Sequence, residues 1–276
     1  MTAKDILLRP IDAQTANALV RRVHYSHKVV NNSQIHIGVF YRGKLEGAMQ
    51  FGPSLDKRKM IGLVRETKWN EFIELNRLAF TDVLPRNSES RALAVAMRLL
   101  RKHAPHLKWV VTFADGTQCG DGTIYRAAGF VLTGIKKNNQ ILELPKNAKI
   151  EGVPRQIFAG SMTMQGPKGA ARQRGQILSR VTITKDKYIQ ETGAASIQPF
   201  LDAGYVPLPG FQLRYLYFLD LSCKDRLTVP ILPYGAIEKA GAGMYRGQSR
   251  AGVVQTEEHA LQCETALQSD PPAFSA

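Results

Sequence analysis

Leu93, Ala96, Met97 and Leu100 recur at i, i+3, i+4 and i+7, and shortly after them Lys108–Phe113 (KWVVTF) forms an apolar run bounded by turn signals. The first pattern lays an apolar stripe along a helix over Arg91–His103. The second lacks polar alternation, which is how a strand buried on both faces reads. Such a strand needs a packed layer on each side, so the pair confines the chain to a sheet flanked by helices.

The other segments extend that frame. Ile6–Ile11 predicts a strand, and Asp12–Tyr25 predicts a helix with Ala16, Leu19, Val20 and Val23 on one face and Asp12 as N-cap. Ile35–Tyr41 and Leu45–Phe51 predict a hairpin turning at Arg42-Gly43-Lys44. Phe72–Phe80 predicts a strand with Ile73, Leu75, Arg77 and Ala79 on one face. Asn87 or Ser88 is the expected cap of the 91–103 helix. Asp121-Gly122-Thr123 opens a short helix over Ile124–Ala128 that Gly129 closes. Phe130–Gly134 and Gln140–Leu144 predict extended chain. Val181–Ile183 and Ile197–Leu201 predict short elements, and Gln212–Asp220 a late strand.

Charge narrows the function classes. The 276 residues carry 37 Lys and Arg against 23 Asp and Glu, a formal net charge of +14. So basic a chain favours a polyanionic partner, with nucleic acid first. The positive charge is concentrated in 136–187, which holds eleven Lys and Arg against Glu143, Glu151 and Asp186. The 248–276 tail is the reverse, with Arg250 against Glu257, Glu258, Glu264 and Asp270, and reads as a disordered acidic extension. No stretch approaches the ~20 apolar residues of a membrane span. Met1–Arg9 lacks the apolar run of a secretory signal. Cys119, Cys223 and Cys263 are too few and too scattered for a disulfide framework, so a cytoplasmic location is expected.

Strand, helix, hairpin, strand, Asn-Ser turn into helix, strand, short Tyr-bearing helix, strand: this order resembles the GNAT acyltransferase fold. His24-Tyr25-Ser26-His27, Glu74–Ala79, Asn87–Arg91, Phe113–Gly116, Gly122–Phe130 and Tyr215–Asp220 with Arg226–Tyr234 together resemble the phage Mom family. The resemblance covers roughly residues 5–247. It implies an α+β fold with a central mixed twisted sheet flanked by helices, and a basic insertion at about 136–200 before the last strand. One domain is then expected over 1–247, followed by the 248–276 tail. It also implies a phage enzyme of the host cytoplasm that converts adenine in double-stranded DNA to its N6-methylcarbamoyl form and so evades restriction.

The resemblance further implies an acyl-coenzyme A donor, acetyl-CoA being the simplest, held by its pyrophosphate at the turn before the 91–103 helix. Asn87, Ser88, Ser90 and Arg91 stand there, with Arg77 as an anion contact from the neighbouring strand. The glycines usual in that loop are missing, and Glu89 in the first turn must point away from an anion. The product joins N6 to a methylene carbon, a bond that ordinary thioester attack does not make. That brings a redox-active metal such as iron, or a further nitrogen source, into consideration; the metal ligands are unknown.

Each candidate residue has a plainer reading beside the functional one. Tyr125 is either a packed aromatic or, by the resemblance, the acid or hydrogen-bond donor to the leaving group. Asp115 is either a turn residue or a base for the poorly nucleophilic adenine N6. His24 and His27 suit a helix C-terminus; the resemblance moves His24 and Tyr25 to the substrate pocket, where Tyr25 could stack on an everted base. Arg77 is in a structural ion pair with Glu74 or Glu89, or on a donor anion. Lys136, Lys137, Arg172, Arg174 and Arg180 are solvated surface or DNA-backbone contacts. Two rival functions stay open: a conventional N-acetyltransferase acting on a protein or small-molecule amine, and a DNA-binding protein without catalysis.

Overall fold

The computed structural model describes residues 2–54, 56–117, 120–139, 141–143, 177–179, 201, 206–245 and 248–249. They fall into two compact units. One takes the described residues up to Lys136 and from Gln212 onward; the other takes those between Lys137 and Phe211.

The first unit is built on a seven-stranded sheet. Its strands are β1 (Leu7–Pro10), β2 (Ile35–Tyr41), β3 (Lys44–Gly52), β4 (Phe72–Phe80), β5 (Trp109–Asp115), β6 (Val131–Lys137) and a later strand, β10 (Phe211–Phe218). The helices are α1 (Ala13–Val23), α2 (Lys57–Ile61), α3 (Ser88–His103), α4 (Thr123–Ala127) and α5 (Gly235–Lys239). The strand order is β1-β2-β3-β4-β5-β10-β6. Thus β10 enters between β5 and β6, a placement the linear pattern could not disclose. β4 and β5 run parallel, whereas β1–β2, β2–β3, β3–β4 and β5–β10 are antiparallel. The result is a mixed α+β sheet flanked by helices. The second unit contains a three-stranded sheet of β7 (Ile141–Glu143), β8 (Ile177–Ser179) and β9 (Val206–Pro207), in the order β8-β7-β9.

Local chemistry explains the elements. The Asp12 carboxylate accepts the Thr15 amide at 2.7 Å and starts α1, whose Ala16, Leu19 and Val20 are buried. Ala16 and Leu19 pack on Ala48 of β3. At the hairpin tip Arg42 and Gly43 both take positive φ, 51° and 77°, as a two-residue primed turn requires. Helix α4 ends at Gly129, φ 89°, where the Phe130 amide reaches back to the Tyr125 carbonyl at 3.0 Å.

Two expectations need correction. Helix α3 begins at Ser88, three residues before the expected Arg91; Asn87 is its N-cap, one of the two residues expected there, and is left-handed with no side-chain cap bond. The expected single face of β4 is broken. Gln50 pairs with Arg77 but Phe51 pairs with Leu75, so β4 carries one extra residue at Asn76. A bulge of this kind turns Arg77 to the face opposite Leu75.

Parallel β4–β5 pairing runs only over Phe72–Glu74 against Trp109–Val111. The Thr112 hydroxyl donates to the Leu75 carbonyl at 3.3 Å, and beyond it the two strands part. On one face of the paired region Phe72, Trp109, Val111, Leu216 and Phe218 pack under Met60, Leu63 and Val64. Trp109 is fully buried, stacks on Phe72 at 4.4 Å and donates its indole N–H to Thr67.

Candidate active site

Helix α1 hands the chain to His24, which closes it by donating its amide to the Val20 carbonyl. The buried imidazole lies against the Tyr25 ring, centroids 4.3 Å apart and planes tilted by 31°, and its Nδ1 accepts the Ser26 amide at 3.1 Å. Burial, then the Arg77 charge, then His27, hold the His24 pKa down at about 3 from its ordinary 6.5. His27 follows in a left-handed conformation and donates Nδ1–H to the Arg21 carbonyl at 2.8 Å.

Arg77 reaches this turn from β4. Its Nε donates to the Lys28 carbonyl at 2.7 Å and Nη1 to the Asn76 carbonyl at 2.6 Å. Backbone oxygens take these two hydrogen bonds, and the charges of Tyr25 and Glu74 also act on the guanidinium. Burial, and then Arg77, bring the Lys28 amine down to about 8 from 10.5. His24, Tyr25 and Arg77 are therefore one group, and Lys28 joins it. Sequence reasoning missed Lys28, although it directly follows the His-Tyr-Ser-His string.

Asp115 ends β5, 7% exposed. Its Oδ1 accepts the Thr117 amide and hydroxyl and Nε2 of Gln212 at 2.9 Å. The Thr117 bonds are those of a turn aspartate, and the cross-strand bond to Gln212 ties the turn to β10. Gln212 had no signal in the sequence.

Tyr125 lies on α4, buried, with its ring 5.5 Å from Tyr215 and 5.7 Å from Phe130. The Tyr215 hydroxyl donates to the Asp121 carbonyl, and burial pushes its pKa up. The buried Asp121 carboxylate pairs with Arg126 at 3.2 Å and accepts the Thr123 hydroxyl at 2.8 Å. These bonds clamp the helix that carries Tyr125. Gly122 is required here: its φ is +81°, and a Cβ would strike the Tyr215 ring. Alternation along β10 sends Tyr215 to one face and Gln212 and Arg214 to the other. Asp115, paired with Gln212, and Tyr125, packed on Tyr215, accordingly belong to opposite faces of the sheet.

Asn87, Ser88, Ser90 and Arg91 meet at the start of α3. The Ser90 hydroxyl donates to the Asn87 carbonyl at 3.2 Å, and the Ser88 amide is taken by the Pro85 carbonyl. The Ser88 hydroxyl is fully buried and has no hydrogen-bond partner among the described residues. Nor does any backbone acceptor appear there for the Glu89 and Ser90 amides. An orphaned hydroxyl beside two helix-terminal amides suits a bound anion. Arg91 is exposed.

Lys136 and Lys137 are exposed at the end of β6. Arg172, Arg174 and Arg180 lie outside the described residues, as do Cys119, Cys263, the expected elements 181–183 and most of 197–201, and nearly all of the acidic tail. Among the described residues no group of three or more His, Cys, Asp and Glu is arranged to hold a metal. His24, whose Nδ1 accepts the Ser26 amide and whose ring proton is on Nε2, offers a metal no lone pair, and His27 alone does not make an iron site among the described residues. No described helix is long and apolar enough to cross a membrane. Two surface depressions, one against Lys108 and Leu219 and one against Phe72 and His106, sit at the start of β5, the end away from Asp115.

The family model of the Mom protein family matches residues 5–236. The methylcarbamoylase mom of Escherichia phage Mu is 38% identical over 133 residues, which are 48% of this chain and 55% of that protein. The chain thus spans about half the length of the curated relative it matches. Among solved structures, an IAA acetyltransferase from Bacillus cereus aligns at 8% identity over 77% of this chain and 99% of its own, with a TM-score of 0.39. The ribosomal-protein-S18-alanine N-acetyltransferase of Escherichia coli aligns at 10% identity over 78% and 95%, with a TM-score of 0.38. Likeness at that level bears on neither activity nor ligand.

Proposed function

The chain belongs to the Mom protein family, and on that footing we propose that it is a DNA-modifying transferase that converts adenine in phage DNA to N6-methylcarbamoyl adenine and thereby blocks restriction. The observation that carries this reading is the family match over residues 5–236, a span that contains all the described candidate residues. The 38% identity to the phage Mu methylcarbamoylase supports the same reaction class. A net charge of +14 supports a polyanionic substrate.

The residues have distinct parts to play. Adenine is everted from the duplex, because N6 is out of reach inside the stack. Asp115, oriented by Thr117 and Gln212, takes the N6 proton. His24, neutral at physiological pH, works as an Nε2–H donor in the substrate pocket beside Tyr25, not as a cation. Tyr125, held by the Asp121–Arg126 clamp on the opposite face of the sheet from Asp115, donates to the leaving group where β4 and β5 part and the two faces meet. The Ser88 hydroxyl with the Glu89 and Ser90 amides would hold the pyrophosphate of an acyl-coenzyme A, and Arg91 and Arg77 contribute positive charge nearby. When bound, that donor would supply the two carbons as a thioester; a further nitrogen source would displace its thiol, the leaving group, to give the terminal amide, and joining the methyl carbon to N6 would take a two-electron oxidant. Lys136, Lys137, Arg172, Arg174 and Arg180 track the DNA backbone.

The test compares DNA from bacteria producing the wild type, Asp115→Ala and Tyr125→Phe. The wild type should leave DNA resistant to restriction enzymes with adenine in their sites, and both variants should restore cleavage. Full protection by both variants would remove these two residues from the chemistry. An acetylated amine formed without DNA would favour the conventional acetyltransferase.

A further inference from the structure

The open face of the sheet beside Asp115 carries a feature that the residues assigned so far do not use. Strands β5 and β10 pair in regular register, Trp109↔Phe218, Val111↔Leu216, Phe113↔Arg214 and Asp115↔Gln212, so these four pairs share one face. The first two are sealed under Met60, Leu63 and Val64. The cover opens at Phe113, ahead of the buried Asp115. Phe113, in an interior strand of a seven-stranded sheet, is 38% exposed. An interior strand is normally covered on both faces, and an aromatic ring left to water in one marks a contact surface.

Its cross-strand partner is a fixed, flat cation. The Arg214 guanidinium donates Nε–H to the Thr133 hydroxyl at 3.2 Å and Nη2–H to the Thr133 carbonyl at 2.9 Å. A Cβ on Gly134 would stand 3.3 to 3.5 Å from its Nη2, Cζ and Nε, so the plane lies against the β6 backbone. One pair further along, Gln212 commits Nε2 to Asp115, which leaves its Oε1 as an acceptor on the same face.

We propose that Phe113 and Arg214 form the platform on which an everted adenine stacks, with Gln212 accepting from its exocyclic amine. Bases stack on aromatic and guanidinium planes because every base has a π face. The acceptor favours a purine with an amine over one with a carbonyl at the same position. The fixed cation and the chain's net charge of +14 match the phosphodiester that carries the base. Tyr25, the ring suggested by sequence for this contact, has one face against His24. The platform also places N6 beside Asp115, the proposed base. The inference rests on the proposed DNA modification and names how that substrate is seated.

The experiment is anisotropy titration of the full chain with a duplex bearing one unpaired adenine, against the same duplex with an abasic residue there. The wild type should prefer the adenine duplex by about tenfold or more, the size of one base–aromatic stack. Phe113→Leu should bring that ratio to about one without weakening abasic DNA, and Phe113→Trp should keep it. Arg214→Lys, which keeps the charge and loses the plane, should lower it, and it serves as the second variant if Phe113→Leu does not fold. A full adenine preference in Phe113→Leu, or none in the wild type, overturns the platform even if modified adenine is found in cells. A preference lost in Phe113→Leu with no modified adenine in cells keeps the platform and sinks the proposed reaction instead.

Discussion

Nδ1 of His24 accepts the Ser26 amide at 3.1 Å and lies 2.9 Å from the Ser26 hydroxyl, which fixes the ring proton on Nε2. Burial, then Arg77, hold the pKa at about 3. The folded value lies below the ordinary 6.5, so the folded state binds fewer protons than the unfolded chain between those limits. The His24 contribution is complete above pH ~6.5 and is lost as pH falls toward ~3. Imidazole NMR should show His24 still neutral at pH 5. Urea unfolding of the wild type should weaken from pH 7 to pH 5, and less so in His24→Asn. A His24 that protonates near its ordinary value contradicts the burial argument.

Ser88→Ala removes a buried hydroxyl that has no partner among the described residues. Without ligand the variant should be as stable as the wild type or more stable, by up to ~1 kcal/mol, because an unpaired buried polar group is costly. If that hydroxyl helps hold a pyrophosphate, coenzyme A should raise the wild-type melting temperature more than that of Ser88→Ala. Equal shifts would take Ser88 out of the donor site.

Gly122→Ala meets both a positive φ and the Tyr215 ring. Left-handed strain and overpacking together should cost about 2–4 kcal/mol in urea unfolding. Gly43 also has positive φ, but nothing lies near its missing Cβ, so Gly43→Ala should cost less. Equal losses would mean that Tyr215 does not crowd Gly122.

Lys136 and Lys137 are exposed at the end of β6. If both meet phosphates, Lys136→Ala with Lys137→Ala should make the slope of log binding constant against log salt shallower by about 2. Duplex DNA titrated at several salt concentrations measures this, and an unchanged slope removes both lysines from the DNA surface.

Local patterns in the sequence carried much of the fold. Phe72–Phe80 matches β4 residue for residue, Asp12 caps α1, Gly129 ends α4, and the Arg42-Gly43 turn closes the hairpin. Each depends on residues close in the chain. What needed a partner strand was hidden: the Asn76 bulge exists only against β3, and β10 gains its place between β5 and β6 from packing. The site divides along the same line. His24, Tyr25, Asp115 and Tyr125 stood in recognisable strings, whereas Gln212, Phe113 and Arg214 acquire meaning through the β5–β10 register. The Asp121–Arg126 clamp spans a short stretch of sequence, but its burial was not visible there.

The central claim is that adenine in DNA is the group transformed. Mass spectrometry of nucleosides digested from the DNA of bacteria producing the folded chain tests it most directly. The account predicts a deoxyadenosine species heavier by an acetamide unit on N6, absent from cells producing Asp115→Ala. Deoxyadenosine of unaltered mass throughout, beside soluble and folded protein, would contradict it.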